Sequence, residues 1–122
     1  MKHKEITGKI IKSFYSVFNE LGYGFLESVY ENALIKELKN RKLKVENQKE
    51  INVFYDNELV GEFYCDLLIN DKVIVEIKAV KELADIHEVQ LVNYLKAAAV
   101  EVGLLVNFGK ELEFKRRVFT NK

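Results

Sequence analysis

The chain has 122 residues, of which 48% are hydrophobic and 31% are charged, and its 19 basic residues balance 19 acidic residues. This length predicts a single domain over residues 1–122, and no apolar run approaches the roughly 18 residues that a membrane-spanning helix needs, so no membrane partner is expected. The balanced charge argues against tight binding of nucleic acid over the whole surface. The single cysteine, Cys65, and the lack of a signal-peptide pattern predict a reducing, cytoplasmic location.

Hydrophobic spacing predicts two helices followed by three strands. Apolar residues recur at helical intervals over residues 6–21, and the glycines at 22 and 24 end this first helix. A second helix is predicted over about residues 25–41. The pattern then changes to a period of two, which predicts strands over residues 45–55, 59–69 and 72–80.

The last third of the chain predicts a helix and two further strands. Asp85 and Glu88 form a capping-box pattern, so a helix is expected to begin at Asp85 and to run to about residue 99. Residues 103–107 are apolar on both faces, which is typical of an interior strand reached by a helical crossover. Residues 112–119 alternate again. The order ααβββαββ therefore predicts an α/β fold with a mixed sheet flanked by helices.

Charged residues interrupt two of these apolar strands. Glu76 and Lys78 lie two positions apart in residues 72–79, so their side chains share one face of the strand. Burial of ionised groups costs on the order of several kcal/mol each unless they are paired or bound to metal. Asp66 interrupts the preceding strand in the same way. A simple ion pair would account for Glu76 and Lys78, whereas a metal-dependent hydrolytic centre would account for all three residues.

The loop between these strands decides whether the two acids converge. A loop of two residues would place Asp66 and Glu76 on opposite faces of the sheet. A loop of three, residues 70–72, would pair Ile69 with Val73 and set the acids opposite each other. We predict the three-residue loop, because hydrolysis of a phosphodiester needs carboxylates that hold Mg²⁺ and a cation beside them.

Two helical residues are further candidates for the same site. Glu27 lies in the first turn of the second helix, where the helix dipole favours an acid in any case. Gln90 lies in the capped helix, and a hydrogen bond to a strand edge is the alternative to a functional role. Tyr30 is expected to pack, and His87 is expected either at the surface or in a cleft with Gln90.

These residues together resemble the motifs of a known superfamily. Asp66 followed by Glu76-Ile77-Lys78 resembles the core motif of the PD-(D/E)XK nucleases. The segment Gly24-Phe-Leu-Glu27-Ser-Val-Tyr30 is similar to the signature of the GxxExxY branch of that superfamily. Residues 87–96 and 103–109 are also similar to this branch, so the resemblance covers about residues 6–119. It implies an αβββαβ core, in agreement with the predicted order of elements.

The resemblance also implies a role for each candidate residue. The residues implied to ligate Mg²⁺ or Mn²⁺ are Asp66, Glu76, Glu27 and the carbonyl of Ile77. Lys78 is implied to act on the attacking water, and Gln90 to accompany the site. Tyr64 is a departure, since the branch often has a basic residue two positions before the aspartate, and this puts a phosphate contact from that position in doubt.

The implied activity is metal-dependent hydrolysis of phosphodiester bonds in nucleic acid, with DNA favoured over RNA. No organic cofactor is implied, and a homodimer is one option because small nucleases of this superfamily often dimerise. The alternative is a catalytically silent nuclease fold that binds nucleic acid or another protein. The intact acids and lysine count against this alternative, and the neutral net charge counts in its favour.

Overall fold

The computed structural model describes residues 3–120, and within them the elements follow the predicted order. The helices are α1 (Lys4–Leu21), α2 (Glu27–Asn40) and α3 (Asp85–Ala98). The strands are β1 (Val45–Tyr55), β2 (Glu58–Ile69), β3 (Val73–Lys78), β4 (Val102–Phe108) and β5 (Leu112–Val118). None of the helices in residues 3–120 combines the length and the hydropathy that a bilayer crossing requires.

The strands pair in the order β1-β2-β3-β4-β5 and form a mixed sheet. β3 and β4 run parallel and are joined by α3, whereas the other neighbouring strands are antiparallel. Every residue of β4 is buried. The interior strand and the helical crossover predicted from the apolar segment at residues 103–107 are therefore confirmed.

Helices cover both faces of this sheet. α1 and α2 pack on one face, where Phe14 and Tyr30 join a core that includes Val75 of β3. α3 packs on the other face, where Leu91 joins a second core with Ile74 of β3. Successive strand residues point to opposite faces of the sheet. Glu76 and Lys78 therefore follow Ile74 on the face that α3 covers.

The loop between β2 and β3 has the predicted length of three residues. Ile69 pairs with Val73, which leaves residues 70–72 outside the ladder. Asn70 and Asp71 adopt positive φ values of 51° and 58°, a region that their short polar side chains tolerate better than most residues do. The register on which the convergence of the two strand acids depends is therefore confirmed.

α3 begins at Asp85 as predicted, but the predicted capping box is wrong. Ala84 is the residue before the helix, and its N–H donates to His87 Nδ1 at 3.1 Å. The His87 N–H donates in turn to the Ala84 carbonyl at 3.0 Å. Glu88 instead forms ion pairs with two basic residues of β5. A contact between distant parts of the chain has thus replaced the local cap that the sequence spacing suggested.

The packing of α3 on β4 requires glycine at position 103. A Cβ atom there would lie 2.7 Å from Leu91 Cδ1 and 3.1 Å from Leu95 Cδ2, inside a filled core. We expect Gly103→Ala to lower the free energy of unfolding by about 1–3 kcal/mol, measured by urea denaturation. Gly8→Ala in α1 is the matched control, because a Cβ atom there has no neighbour within 4 Å. It should stabilise the protein by about 0.5–1 kcal/mol, and equal losses for both variants would contradict the packing argument.

Candidate metal centre

Asp66 of β2 and Glu76 of β3 meet where the ladder between their strands opens. The Asp66 N–H donates to Glu76 Oε2 at 2.7 Å, and the Ile77 N–H donates to Asp66 Oδ2 at 2.7 Å. Regular backbone pairing between the strands ends one residue earlier, at Leu67 and Val75. Each carboxylate therefore takes the place of a strand carbonyl, and the two acids are held side by side.

The alternation of side chains along β2 changes phase at Asp66. Leu68 and Cys65 both contribute to the core beneath α3, although a regular strand would send residues three positions apart to opposite faces. Gln48 of β1 has a positive φ of 51°, and its pairing with Asp66 is missing from the ladder. Irregularities of this kind are common beside functional sites, where they redirect a side chain. Cys65 itself is a buried apolar residue, as expected.

Burial disfavours the charged forms of both acids, and the charge of a neighbouring carboxylate adds to this effect at each of them. Glu76 is only 5% exposed, and burial followed by the charge of Asp66 raises the pKa of its carboxyl to about 8. Burial also raises the pKa of Asp66. The nearby Lys78 ammonium lowers both pKa values without outweighing burial. Without a bound cation, the pair therefore retains a proton near neutral pH.

Lys78 ends β3 beside the acids, but it does not neutralise Glu76. The ion pairs within residues 3–120 do not join these two residues. Glu76 is instead hydrogen-bonded to the backbone of Asp66. The simple ion pair that was the alternative interpretation of these residues is therefore not formed, and the half-buried ammonium of Lys78 remains close to both carboxylates.

The donor atoms at this point of the sheet fit a hard divalent cation. After Oε2 and Oδ2 accept backbone N–H groups, Glu76 Oε1 and Asp66 Oδ1 remain, and Asp66 Oδ1 has one long contact of 3.4 Å with Gln48 Nε2. Mg²⁺ is often bound by one or two carboxylates and keeps several waters. No group of three or more His, Cys, Asp and Glu side chains within residues 3–120 is placed to hold a metal. The two strand carboxylates are therefore a donor set of the size that Mg²⁺ commonly takes from a protein.

Glu27 lies near the end of β3, apart from the two strand acids. It is the first residue of α2, and its Oε2 accepts the Ala79 N–H at 3.3 Å. Tyr30 fixes this helix start, since its ring stacks on Phe108 with centroids 4.5 Å apart and its hydroxyl donates to the Gly22 carbonyl at 2.7 Å. Tyr30 thus packs as expected. The structure places Glu27 just beyond Lys78, and its part in metal binding stays a prediction.

Gln90 is hydrogen-bonded to Tyr94 of the same helix. The Gln90 Nε2 donates to the Tyr94 hydroxyl at 3.1 Å on the inner side of α3. Burial first, and then the charges of Glu76 and Asp66, raise the pKa of the Tyr94 phenol. Tyr94 is therefore within electrostatic range of the carboxylates, and a direct part for Gln90 in the chemistry stays a prediction.

Two residues beside the acids were not predicted. Glu31, one turn after Glu27, accepts from Gln48 Nε2 at 3.3 Å, and its charge raises the pKa values of both strand acids. Gln48 thereby bridges Glu31 and Asp66. The i, i+4 spacing of the two helical acids was a usable signal, because such residues share one face of a helix. Gln48 carried no signal, since its position depends on the irregular pairing of β1 with β2.

Asn107 of β4 holds the chain that follows β3. It is fully buried, and both its Oδ1 and its Nδ2 bind the backbone of Val80 at 2.9 Å. These bonds take the place of further strand pairing, so β3 ends at Lys78 rather than at residue 80 as predicted. The buried amide therefore fixes the segment that carries Lys78 and the Glu27 contact.

Comparisons with known proteins agree with this fold. A sequence model of the PD-(D/E)XK nuclease superfamily matches residues 4–118. A solved crystal structure of a protein designated SSO0001 shares the fold, with a TM-score of 0.61 and 20% sequence identity, and the predicted α/β fold is confirmed. The match covers 78% of this chain and 52% of that protein, so the chain spans about half of its length. A search of curated protein sequences gave no match. Since the family match takes in both strand acids and nearly the whole chain, this chain belongs to the PD-(D/E)XK nuclease superfamily.

Proposed function

We propose that this chain hydrolyses phosphodiester bonds in nucleic acid with a divalent metal ion, that DNA is preferred to RNA, and that the ion is Mg²⁺ or Mn²⁺. Membership of a nuclease superfamily supports nuclease activity and a nucleic-acid substrate. The observation that supports the proposal most is the convergence of Asp66 and Glu76 beside an unneutralised lysine. A fold maintained only for binding would not need a buried and a half-buried carboxylate side by side, since their burial opposes folding.

In this proposal the two strand acids bind the metal, and backbone N–H groups fix the positions of the two carboxylates. Asp66 and Glu76 supply the two carboxylates, and the Ile77 carbonyl and Glu27 are the further ligands expected from the family motif. When bound, the ion polarises a phosphoryl oxygen and lowers the pKa of a water. The hydrogen bonds from the N–H groups of Asp66 and Ile77 keep both carboxylates fixed before substrate arrives.

Lys78 supplies the positive charge that the reaction requires. Its ammonium is close to both carboxylates and forms no ion pair with Glu76, so it can orient a water and stabilise the negative charge that grows on the phosphoryl group. Asn107 and the Glu27 contact hold the strand end that carries it. Gln90 and Tyr94 close the same region from the α3 side.

Three further parts of the proposal come from the sequence. The motif around Glu27 supports membership of the GxxExxY branch, and the single buried cysteine supports a cytoplasmic location. A homodimer remains the option that the small size of the domain suggests.

The proposal is tested with one acid inside the site and one outside it. Cleavage of single-stranded, duplex and branched DNA and of RNA is measured with Mg²⁺ and with Mn²⁺. We expect Asp66→Asn to reduce cleavage by at least about 100-fold, since it removes charge that holds the ion. Asp71→Asn is the matched control, because Asp71 is exposed in the adjacent loop and pairs with Lys44. It should leave cleavage unchanged.

Two results would count against the proposal. Metal-independent binding of DNA with no cleavage of any substrate would favour the catalytically silent alternative. Cleavage that persists in Asp66→Asn at the wild-type rate would place the activity elsewhere or in a contaminant.

A further inference from the structure

A wide groove lies between α3 and the outer half of the β1–β2 hairpin. Its volume is about 920 Å³, which is at the upper end of the range of roughly 300–1,000 Å³ found for ligand sites. Apolar and aromatic side chains form most of its walls, among them Phe54, Phe63, Ile86, Val89 and Tyr94. The groove lies outside the acid pair and is not needed to hold a metal.

The walls of this groove are unusually exposed for such apolar side chains. Phe54 is 62% exposed, Phe63 44%, Ile86 65% and Val89 50%. Large apolar side chains scattered singly need no explanation, but a contiguous set around a concavity marks a surface that another molecule covers. Phe63 also packs against the ring of Tyr94, with centroids 5.9 Å apart, so its ring is held at the groove wall.

Polar atoms with unused hydrogen-bonding capacity line the same groove. His87 Nδ1 accepts the Ala84 N–H, so the neutral ring carries its proton on Nε2 and offers a donor. Gln90 uses its Nε2 towards Tyr94, which leaves its Oε1 as an acceptor. His87 and Gln90 therefore present one donor and one acceptor at the groove, as binding of the polar edge of a base requires.

Charge and position connect the groove to the acid pair. No carboxylate is among its lining residues in the described part of the chain, and Lys96 is the residue there with a full charge. A polyanion can therefore enter without repulsion from the walls. Tyr94 lies in the groove wall and packs in the same core as Ile74 of β3. Glu76 follows Ile74 on that face of the strand, so the groove and the acid pair lie on the same face of the sheet.

We propose that this groove binds unpaired bases of a single-stranded segment of the nucleic-acid substrate. This inference rests on the proposed nuclease function and names its substrate class. A base stacks on the ring of Phe63 or Phe54, and His87 and Gln90 bind its polar edge. Aromatic rings beside donors and acceptors are the usual means of binding unpaired bases, and the lining, with Lys96 and no carboxylate, suits the charge of a nucleic acid.

The test compares strands that have the same phosphates but differ in bases. Binding of a labelled single-stranded 12-nucleotide DNA and of an abasic strand of equal length is measured by fluorescence anisotropy in EDTA, where no cleavage occurs. We expect the strand with bases to bind at least about tenfold more tightly, as stacking contacts of this kind require. Phe63→Ala should remove most of this difference, and Phe54→Ala, at a more exposed position, should reduce it. A free nucleoside monophosphate should compete only weakly.

Tyr15→Ala is the matched control. Tyr15 is 49% exposed and packs on Phe114 at the other face of the sheet, so its loss should leave binding unchanged. Equal binding of both strands, or no effect of either phenylalanine variant, would overturn the inference. Dimerisation that Phe63→Ala abolishes, without base-dependent binding, would overturn it in favour of a second copy in the groove.

Cleavage assays on the same preparations separate this inference from the proposed function. Base-dependent binding with no metal-dependent cleavage of any substrate would leave the groove standing as a nucleobase site and would reject the nuclease. Metal-dependent cleavage without base-dependent binding would support the nuclease and would reject the nucleobase site.

Discussion

Replacing Lys78 with methionine should lower the rate of phosphodiester cleavage by at least about 100-fold, the loss expected when charge stabilisation of a transition state is removed. Methionine keeps much of the aliphatic length of the side chain, so packing at the end of β3 is preserved. The carboxylates of Asp66 and Glu76 remain in place because backbone N–H groups hold them. Affinity for Mg²⁺, measured by calorimetry, should therefore change far less than the cleavage rate.

Lys72→Met is the matched control for this prediction. Lys72 is an exposed residue of the loop that precedes β3, and its replacement removes one positive charge from the same strand. It should leave both cleavage and metal affinity near wild type. Parallel losses of metal affinity and cleavage in Lys78→Met would show that the ammonium supports the carboxylates and does not act on the reaction. Partial recovery of the rate in Lys78→Arg would support the charge role.

The convergence of the two strand acids was predictable from the sequence because it depends on the length of the loop between β2 and β3. Charges at Asp66 and Glu76 in apolar strands are costly apart, and a three-residue loop is the connection that brings them together. The apolar run that became β4 was equally informative, since a strand buried on both faces must lie inside a sheet. These features follow from alternation and loop length, which are properties of neighbouring residues.

The surroundings of the acids were not predictable in the same way. Gln48 and Asn107 act through contacts with Asp66 and Val80, which lie 18 and 27 positions away in the chain. The partner of Glu88 is a pair of basic residues on β5, whereas the local spacing suggested a helix cap. The change in side-chain alternation at Asp66 requires irregular pairing of β1 and β2 at the same point. Such features depend on tertiary packing, and one sequence carries no local signal for them.

The metal-free protein should become more stable when Glu76 is replaced with glutamine, and the gain should increase with pH. Burial and the charge of Asp66 raise the pKa of the Glu76 carboxyl to about 8 in the folded protein, from an ordinary value of 4.5. The folded state thus holds a proton that the unfolded chain releases between these two values. The wild-type stability from this group is complete below about pH 4.5 and is lost as pH rises towards 8, by up to about 1.4 kcal/mol per pH unit.

Glutamine keeps an oxygen that can accept the Asp66 N–H and cannot ionise, so the variant should not show this decline. At pH 9 in EDTA, we expect Glu76→Gln to raise the free energy of unfolding by about 1–3 kcal/mol, measured by urea denaturation, and to differ little from wild type at pH 4. Saturating Mg²⁺ should shrink or reverse the gain, because an ion that binds the two carboxylates stabilises only the folded wild type. Glu62→Gln, at an exposed position of β2, is the control and should be neutral at both pH values. A Glu76→Gln effect that is the same at pH 4 and pH 9 would mean that the carboxyl is already ionised and paired in the metal-free protein, so the geometry of Asp66 and Glu76 would not require a cation.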